Sequence, residues 1–129
     1  MSGTYEDLEV WRLAMDLVTV VYERTHDFPK SEVYGLANQM RRAAVSVPSN
    51  IAEGKGRSSD RELVQFLNHA RGSLYELQTQ IRIACRLNYW EAGIGDELVS
   101  RASQVGRLLN GLIRNFRSVP IATSEPHLV

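Results

Sequence analysis

A cluster of basic residues lies in the stretch "GKGRSSDR", residues 54–61, between two predicted helices. Lys55, Arg57 and Arg61 surround flexible glycines and come directly before a helix N-terminus. The positive end of a helix dipole beside cationic side chains suits an anion such as a phosphate group. The G-x-x-x-x-G-K-[ST] spacing of a nucleotide-binding P-loop is absent. The pattern therefore predicts phosphate contacts without a nucleotide pocket.

A second basic pattern runs along the helix that follows. Arg71, Tyr75, Arg82 and Arg86 recur at helical spacing on one side. A basic stripe that contains an aromatic residue is typical of a nucleic-acid surface. An arginine face paired with the acids of a neighbouring subunit has the same pattern, so both interpretations stay open. Gly72 lies opposite the predicted core, and the absence of a side chain there favours close approach of another copy.

The preceding helix carries small polar residues on its outer face. Ser46, Ser49 and Asn50 lie opposite its apolar stripe, where long helix formers such as Lys and Glu are better suited to water. Small side chains favour a surface that something else approaches closely. The neighbouring Arg41 and Arg42 are predicted as phosphate contacts.

Pro48 lies inside this helix and is expected to kink or break it, because proline removes a backbone donor and displaces a carbonyl group. Asn50 and Glu53 are then expected to order the helix end and its loop. A bent helix end before a loop is the alternative account of the whole stretch.

No pattern indicates an enzyme. His26, His69 and His127 have no metal-ligand spacing with one another or with carboxylates. Serines are numerous but have no adjacent candidate base. The chain is therefore predicted to be non-enzymatic, without a cofactor, a metal or a small-molecule substrate.

The elements that position these residues are four helices, since no segment alternates with the period of a strand. They are predicted at about residues 7–26, 31 or 34 to 53, 59–88 and 96–116, with the "GIGD" stretch as a turn before the last. Short connections between long helices predict an all-α, antiparallel, up-down-up-down four-helix bundle. Residues 1–117 are expected to form this single domain, and residues 118–129 a flexible tail.

Helices 3 and 4 each show one apolar stripe, which predicts their core faces. Helix 1 shows two apolar seams on opposite sides. The first seam, predicted to face the core, comprises Leu8, Trp11, Met15, Val18 and Tyr22. The second, predicted to face another copy of the chain, comprises Val10, Leu13, Leu17, Val20 and Val21. A more central helix with some exposed valines is the alternative.

Composition bounds the remaining possibilities. The 15 basic and 15 acidic residues give a net charge of zero, so no overall field indicates a polyanionic partner. Thirteen of the 15 basic residues are arginine, which favours bidentate phosphate contacts, although a GC-rich genome would produce the same bias. Residues 98–124 contain four arginines and no acid. A single cysteine and the absence of a secretion signal or long apolar run predict a cytoplasmic protein without a membrane segment.

Three stretches resemble a known family. They are "YEDLEVWRLAMDLV", "FPKSEVYGLANQMRRAAVSVPSNIAEGKGR" and "ELVQFLNHARGSLYELQTQIRIA". Together they are similar to the four-helix-bundle family of large-subunit ribosomal RNA intervening-sequence proteins. That family is related to the accessory variability determinant of diversity-generating retroelements. The resemblance covers residues 5–112, and its specific feature is the combination of four short stretches, Leu8 to Trp11, Phe28-Pro29, Gln39 to Gly54 and Phe66 to Ser73.

The resemblance implies an antiparallel four-helix bundle that assembles into a ring, typically a homopentamer with a central pore. For the retroelement member it also implies basic surfaces that bind nucleic acid and a reverse transcriptase partner. Members encoded inside ribosomal RNA genes have no established activity.

Taken together, the residues and the resemblance predict a homo-oligomeric helical protein that binds RNA or DNA weakly or with a partner's help. The predicted phosphate contacts are Arg41, Arg42, Lys55, Arg57, Arg61, Arg71, Arg82 and Arg86. The predicted oligomer interface comprises Val10, Leu13, Leu17, Val20, Val21 and Gly72. The rival prediction is a protein-binding scaffold, in which these arginines form ion pairs between subunits with Glu53, Glu62 and Glu76.

Overall fold

The computed structural model describes residues 4–117, and these residues form four long helices. The helices are α1 (Glu9–Thr25), α2 (Leu36–Lys55), α3 (Asp60–Arg86) and α4 (Ala92–Phe116), with short 3₁₀ turns at Tyr5–Asp7 and Lys30–Glu32. The prediction of an all-α chain with four helices is confirmed, and no strand occurs within residues 4–117. The predicted tail, residues 118–129, lies outside this range. No helix in the described part of the chain has the length and apolar character needed to cross a bilayer.

Each helix packs against two others around one core. Contacts join α1 to α2 and α4, and α3 to α2 and α4, whereas the described parts of α1 and α3 do not pack on each other. The predicted stripe of α3 is buried at Leu67, Leu74 and Ile81, and that of α4 at Leu98 and Leu109. These core faces are confirmed. Burial of such apolar stripes is the main favourable contribution to folding.

The prediction for helix 1 is wrong, because the two seams exchange roles. Val10, Leu17 and Val21 are at most 3% exposed and belong to the core of their own chain. They offer no surface to a second copy. Leu13 and Val20 are half-buried against the same core. The outer seam is the one expected inside, and Met15 and Tyr22 in that seam are 41% and 44% exposed.

Two local predictions also need correction. Helix α2 continues through Pro48 to Lys55, so the alternative of a break at that proline is wrong. Helix α4 begins at Ala92, four residues before the predicted start, and the "GIGD" stretch is its first turn. The two glycines of this stretch suggested a turn, but Gly95 lies buried against α3.

The α1–α2 connection and the α3–α4 connection pack against each other at one end of the fold and form the locked connections. Phe28, in the α1–α2 connection, packs against Tyr89 and Trp90 of the α3–α4 connection, with ring centroids 5.0 and 5.1 Å apart. The Trp90 indole donates a hydrogen bond of 2.7 Å to the Arg24 carbonyl oxygen near the end of α1. Glu32 completes the cluster, because it accepts hydrogen bonds from the Leu36 backbone N–H at 2.9 Å and the Tyr89 hydroxyl at 2.7 Å.

Two glycines allow α3 to approach its neighbours closely. A Cβ on Gly54 of α2 would lie 2.8 Å from the Cβ of Phe66, near the start of α3. A Cβ on Gly95 of α4 would collide with the Cys85 sulfur, near the end of α3. Because the core is close-packed, such contacts leave no room for even one methyl group.

Substitution of Gly95 tests this close approach. We expect Gly95→Ala to lower the free energy of unfolding by about 1–3 kcal/mol, because overpacking outweighs the higher helix propensity of alanine. In a Cys85→Ala background the collision disappears, and the same substitution should become neutral or stabilising. Urea denaturation of the four proteins of this cycle gives the coupling energy. An equal effect of Gly95→Ala in both backgrounds would contradict the packing account.

The cap at Glu32 predicts a pH dependence. The Leu36 backbone N–H and the Tyr89 hydroxyl both hold the pKa of Glu32 below its ordinary value of 4.5. A lowered pKa in the folded state adds stability above the ordinary pKa, and this stability is lost as the pH falls through the folded-state value. Glu32→Gln should therefore be less stable than the wild type at about pH 7, and the difference should shrink at about pH 3.

Urea denaturation at both pH values measures this difference. Tyr89→Phe serves as the control, because it removes one of the two donors and should give a smaller pH-dependent part. A difference between wild type and Glu32→Gln that stays constant with pH would show that the carboxylate charge contributes nothing.

Candidate nucleic-acid interface

Arg41, one of the predicted phosphate contacts, is held at the end of α1. Its guanidinium donates hydrogen bonds to Thr25 Oγ1 at 2.9 Å and to the Tyr22 carbonyl oxygen at 3.4 Å. The same group lies 4.7 Å from the centroid of the Tyr22 ring. A cation near a helix C-terminus is favourable because the last carbonyl groups carry partial negative charge. Arg41 therefore joins α2 to α1, and a phosphate would have to compete for it.

Arg57 lies in the connection between α2 and α3 and makes its contacts there. It donates a hydrogen bond of 2.8 Å to the Glu53 carboxylate, and its guanidinium lies 4.7 Å from the centroid of the Phe66 ring. Glu53 thus helps to order the end of α2, as predicted. Both partners of the ion pair are substantially exposed, so the pair itself adds little stability.

Arg71 bridges α3 and α4. It donates hydrogen bonds to Asn110 Oδ1 at 2.9 Å and to Asn68 Oδ1 at 2.8 Å. The amide oxygens leave the positive charge of the guanidinium unneutralised. Arg71 is therefore both a link between helices and a local source of positive potential.

The other five predicted contacts have no hydrogen-bonding or ionic partner among residues 4–117. Four of them, Arg42, Arg61, Arg82 and Arg86, are exposed, whereas Lys55 is half-buried. They do not converge on one site. Arg42 lines a pocket of about 300 Å³ between α2 and α3. Arg61 lies in a depression of about 560 Å³ beside Asn115 and Phe116.

The start of α3 is less suited to an anion than the sequence pattern indicates. Ser59 Oγ accepts a hydrogen bond of 3.2 Å from the Glu62 backbone N–H and so caps the helix. Asp60 and Glu62 place two carboxylates in the first turn. These charges already interact favourably with the positive end of the helix dipole, and they would repel a phosphate.

Two of the small polar residues of α2, Ser46 and Asn50, make hydrogen bonds within the chain, and Ser46 links α2 to α3. Ser46 Oγ and Ser73 Oγ are 2.8 Å apart and share a hydrogen bond. Asn50 Nδ2 donates to the carbonyl oxygen and to Oγ of Ser46, each at 2.9 Å. Ser46 and Asn50 therefore need no second molecule to explain them, whereas Ser49 is exposed. Beside it on α3, Gln80 is 5% exposed, and its Oε1 has no partner among the described residues.

The middle of α3 presents a different surface. Tyr75 is 52% exposed. No atom lies within 4 Å of the point where a Cβ on Gly72 would be, apart from its immediate neighbours and the backbone of its own helix. A glycine inside a helix costs about 1 kcal/mol relative to alanine. Packing within the chain does not explain this glycine.

Two arginines of α4, three and four positions from the Asn110 that Arg71 contacts, were not predicted as phosphate contacts. Arg107 and Arg114 are exposed and have no ionic partner in the described part of the chain. Another arginine of the same acid-free run, Arg101, donates to Glu97 at 3.3 Å. The acid-free run was the sequence signal for these residues, but it did not show which of its arginines face α3.

An apolar groove of about 290 Å³ lies between α1 and α2. Bulky side chains from α1 line it on one side, and smaller residues of α2 form the other. The lining residues are Tyr5, Trp11, Met15, Val18, Val45, Pro48, Ser49 and Ala52. Val45 is 40% exposed, similar to Met15. Trp11, Met15 and Val18 in this groove belong to the first apolar seam of the sequence, the one that was predicted to face the core.

The described residues contain no group of three or more His, Cys, Asp or Glu side chains placed to hold a metal ion. Within residues 4–117, the pKa is displaced at Glu32 and at Tyr89. Hydrogen bonding to Glu32 raises the pKa of Tyr89. This pair lies in the locked connections, where Glu32 binds the first backbone N–H of α2.

Comparison with known proteins identifies relatives of this chain. Residues 6–111 match the family model described as 23S rRNA-intervening sequence protein. The crystal structure of a protein of unknown function from the S23 ribosomal protein family of Bacteroides thetaiotaomicron VPI-5482 is similar, with a TM-score of 0.74 and 17% identity. The similarity covers 81% of this chain and 98% of that one, and at this identity it supports the fold alone. No curated protein matches the chain.

The family match spans most of the residues that form the four helices, including the Gln39 to Gly54 stretch and the middle of α3. The chain therefore belongs to the 23S rRNA-intervening sequence protein family.

Proposed function

We propose that this protein is a non-enzymatic, cytoplasmic accessory protein that forms homo-oligomers and binds RNA or DNA weakly or with a partner's help. The observation that carries the nucleic-acid part is the set of exposed arginines without internal partners. In a chain of zero net charge, surface arginines are expected to pair with acids, yet Arg42, Arg61, Arg82 and Arg86 do not do so among the described residues. Guanidinium groups bind phosphates bidentately, and nucleic acid supplies phosphates in a regular row.

The proposal includes a partner protein, because one chain offers few arginines for phosphate contacts. The family resemblance suggests a reverse transcriptase or another protein as that partner. The same resemblance suggests an antiparallel up-down-up-down bundle assembled as a pentameric ring. In such a ring each copy would add its own arginines to the total.

The second candidate function is a protein-binding scaffold, and the exposed apolar groove between α1 and α2 favours it. Contiguous exposed apolar surface on a small protein commonly marks an interaction site. We propose another copy of the chain as its occupant. The groove has bulky residues of α1 beside small residues of α2. The bulky residues of one copy can therefore pack against the small residues of the next.

A salt titration tests the nucleic-acid proposal. Purified protein is mixed with a labelled RNA hairpin or a labelled DNA duplex, and affinity is measured by fluorescence anisotropy over a range of salt concentrations. Each phosphate contact should contribute about 0.7–0.9 to the slope of log K against log salt. Arg82→Gln/Arg86→Gln should reduce the slope by about 1.4–1.8.

The matched control is Arg24→Gln/Lys30→Gln, which removes the same charge near the locked connections and should leave the slope close to that of the wild type. Absence of binding to either probe at low salt would sink the nucleic-acid proposal for the isolated protein.

The self-association proposal is tested by Met15→Glu. A carboxylate in the apolar groove should dissociate the oligomer, because burial of an unpaired charge is costly. Light scattering after size-exclusion chromatography gives the molar mass. Ile83→Glu is the control, because Ile83 on α3 is also 41% exposed but lies outside the groove. Equal masses for both variants and the wild type would exclude the groove as the interface.

A further inference from the structure

We propose that the outer face where α3 meets α4 binds single-stranded nucleic acid, with Tyr75 stacking on a base. This α3–α4 face carries Arg71, Tyr75, Arg82, Arg107 and Arg114. Arg82, Arg107 and Arg114 are assigned to phosphates. The inference rests on the proposed function, and it names both the surface and the kind of nucleic acid.

The register of the two helices brings these residues together. It is set by three contacts: Arg71 with Asn110, Leu74 with Gly106, and Cys85 with Gly95. Residue numbers therefore fall along α4 as they rise along α3. Tyr75 comes one turn after Arg71, and Arg107 comes one turn before Asn110, so Tyr75 and Arg107 lie level with each other.

Helical spacing places the remaining arginines on the same face. Arg107 and Arg114 precede and follow Asn110 by three and four positions, which are the spacings that share one side of a helix. Arg82 follows Tyr75 by two turns, or roughly 10 Å along the axis. Arg71 itself lies in the floor of the face, where its hydrogen bonds to Asn68 and Asn110 keep its charge in place.

The electrostatics of the α3–α4 face suit a polyanion. Between Leu98 and Arg117 the sequence of α4 has no acid. Glu76 of α3 lies on the other side of its helix, in the pocket shared with Arg42 of α2. Asp60 and Asp96 mark the two ends of the face, and neither pairs with its arginines. The zero net charge of the chain therefore conceals a locally basic surface.

The site for a base is formed by Tyr75 and Gly72. The Tyr75 ring is half exposed. Gly72, three residues earlier, leaves the helix surface bare, so a base that stacks on the ring meets no side chain there. Stacking of this kind needs an unpaired base, because bases inside a duplex are covered by their neighbours. An aromatic platform between rows of cations is the usual means of binding single strands without reading their sequence.

The test uses a labelled single strand of about 12 nucleotides that cannot pair with itself, as RNA and as DNA, and the same strands annealed to their complements. The single strand should bind more tightly than the duplex. Tyr75→Ala should weaken its binding by roughly 5- to 150-fold, whereas Tyr75→Phe should keep the wild-type affinity because the ring remains. Arg107→Gln/Arg114→Gln should lower the salt slope by about 1.4, with Arg24→Gln/Lys30→Gln as the control of equal charge.

Gly72→Gln provides a test that changes neither the charge nor the aromatic ring. The new side chain should cover the space beside Tyr75 and weaken binding of the single strand about five-fold or more, as stacking is blocked. Gly93→Gln is the matched control, because a Cβ on Gly93 also has no close neighbour and Gly93 lies roughly 20 Å along α4 from the level of Tyr75. Gly72→Gln should also stabilise the helix, so that loss of binding has no origin in unfolding.

The outcomes separate this inference from the proposed function. One outcome is that the substitutions of Tyr75, Gly72 and Arg107 leave binding unchanged, whereas Arg42→Gln/Arg61→Gln weakens it. This outcome would overturn the assignment of the site to the α3–α4 face but leave nucleic-acid binding in place. Tighter binding of the duplex than of the single strand would also overturn it. Failure of every probe to bind at low salt would overturn both.

Discussion

The orientation of α3 about its helix axis decides which of its side chains are buried and which are exposed, and the proposed surfaces of the protein depend on it. Gly54 at one end and Gly95 at the other bring α2 and α4 so close that a single methyl group would not fit. A long helix held at both ends by such contacts cannot turn without disrupting a close-packed core. Its leucine stripe faces inward for this reason, and Gly72, Tyr75 and Arg82 face outward. The set of side chains that α3 exposes is thus a consequence of its packing at Gly54 and Gly95.

The arginines of the chain divide into two groups by their partners. Arg41, Arg57 and Arg71 join helices or order a connection, and they make their hydrogen bonds within the chain. Arg82, Arg107 and Arg114 are exposed without such partners among the described residues. A fixed guanidinium between two amides, as at Arg71, loses little of its positive potential, because amides carry no net charge. Structural and free arginines therefore both contribute positive potential to the α3–α4 face.

The sequence predicted some parts of this structure well and others poorly, for physical reasons. The single apolar stripes of α3 and α4 left one possible core face each, and both were found correctly. Helix α1 has two stripes, and periodicity alone does not show which one faces inward. Ala14 and Thr25 lie with the buried stripe, and such small residues let neighbouring helices approach. Their position was the signal that could have decided between the stripes.

The candidate contacts were harder to predict, because their partners are distant in the sequence. Nothing near Arg71 indicates that it bonds Asn110, 39 residues away. Likewise the acid-free run of α4 predicts a basic surface, but it does not show on which side of the fold that surface lies. This depends on the register of α3 and α4 at Gly95 and Gly106. Residue types thus identified the kind of chemistry, while the packing of α3 and α4 decided which arginines were available for it.

The two proposed surfaces lie on opposite sides of the fold, and this arrangement reconciles a neutral chain with nucleic-acid binding. Helices α1 and α2 form one side and α3 and α4 the other, since α1 does not pack on α3 nor α2 on α4 within the described residues. Self-association through the apolar groove would leave every α3–α4 face open. One face with about three phosphate contacts binds weakly at physiological salt. Several such faces in one assembly would engage one strand together, and the effective concentration of the second face would raise the affinity without any new contact. The apolar groove would then serve the proposed binding indirectly, by setting how many basic faces a strand can reach at once.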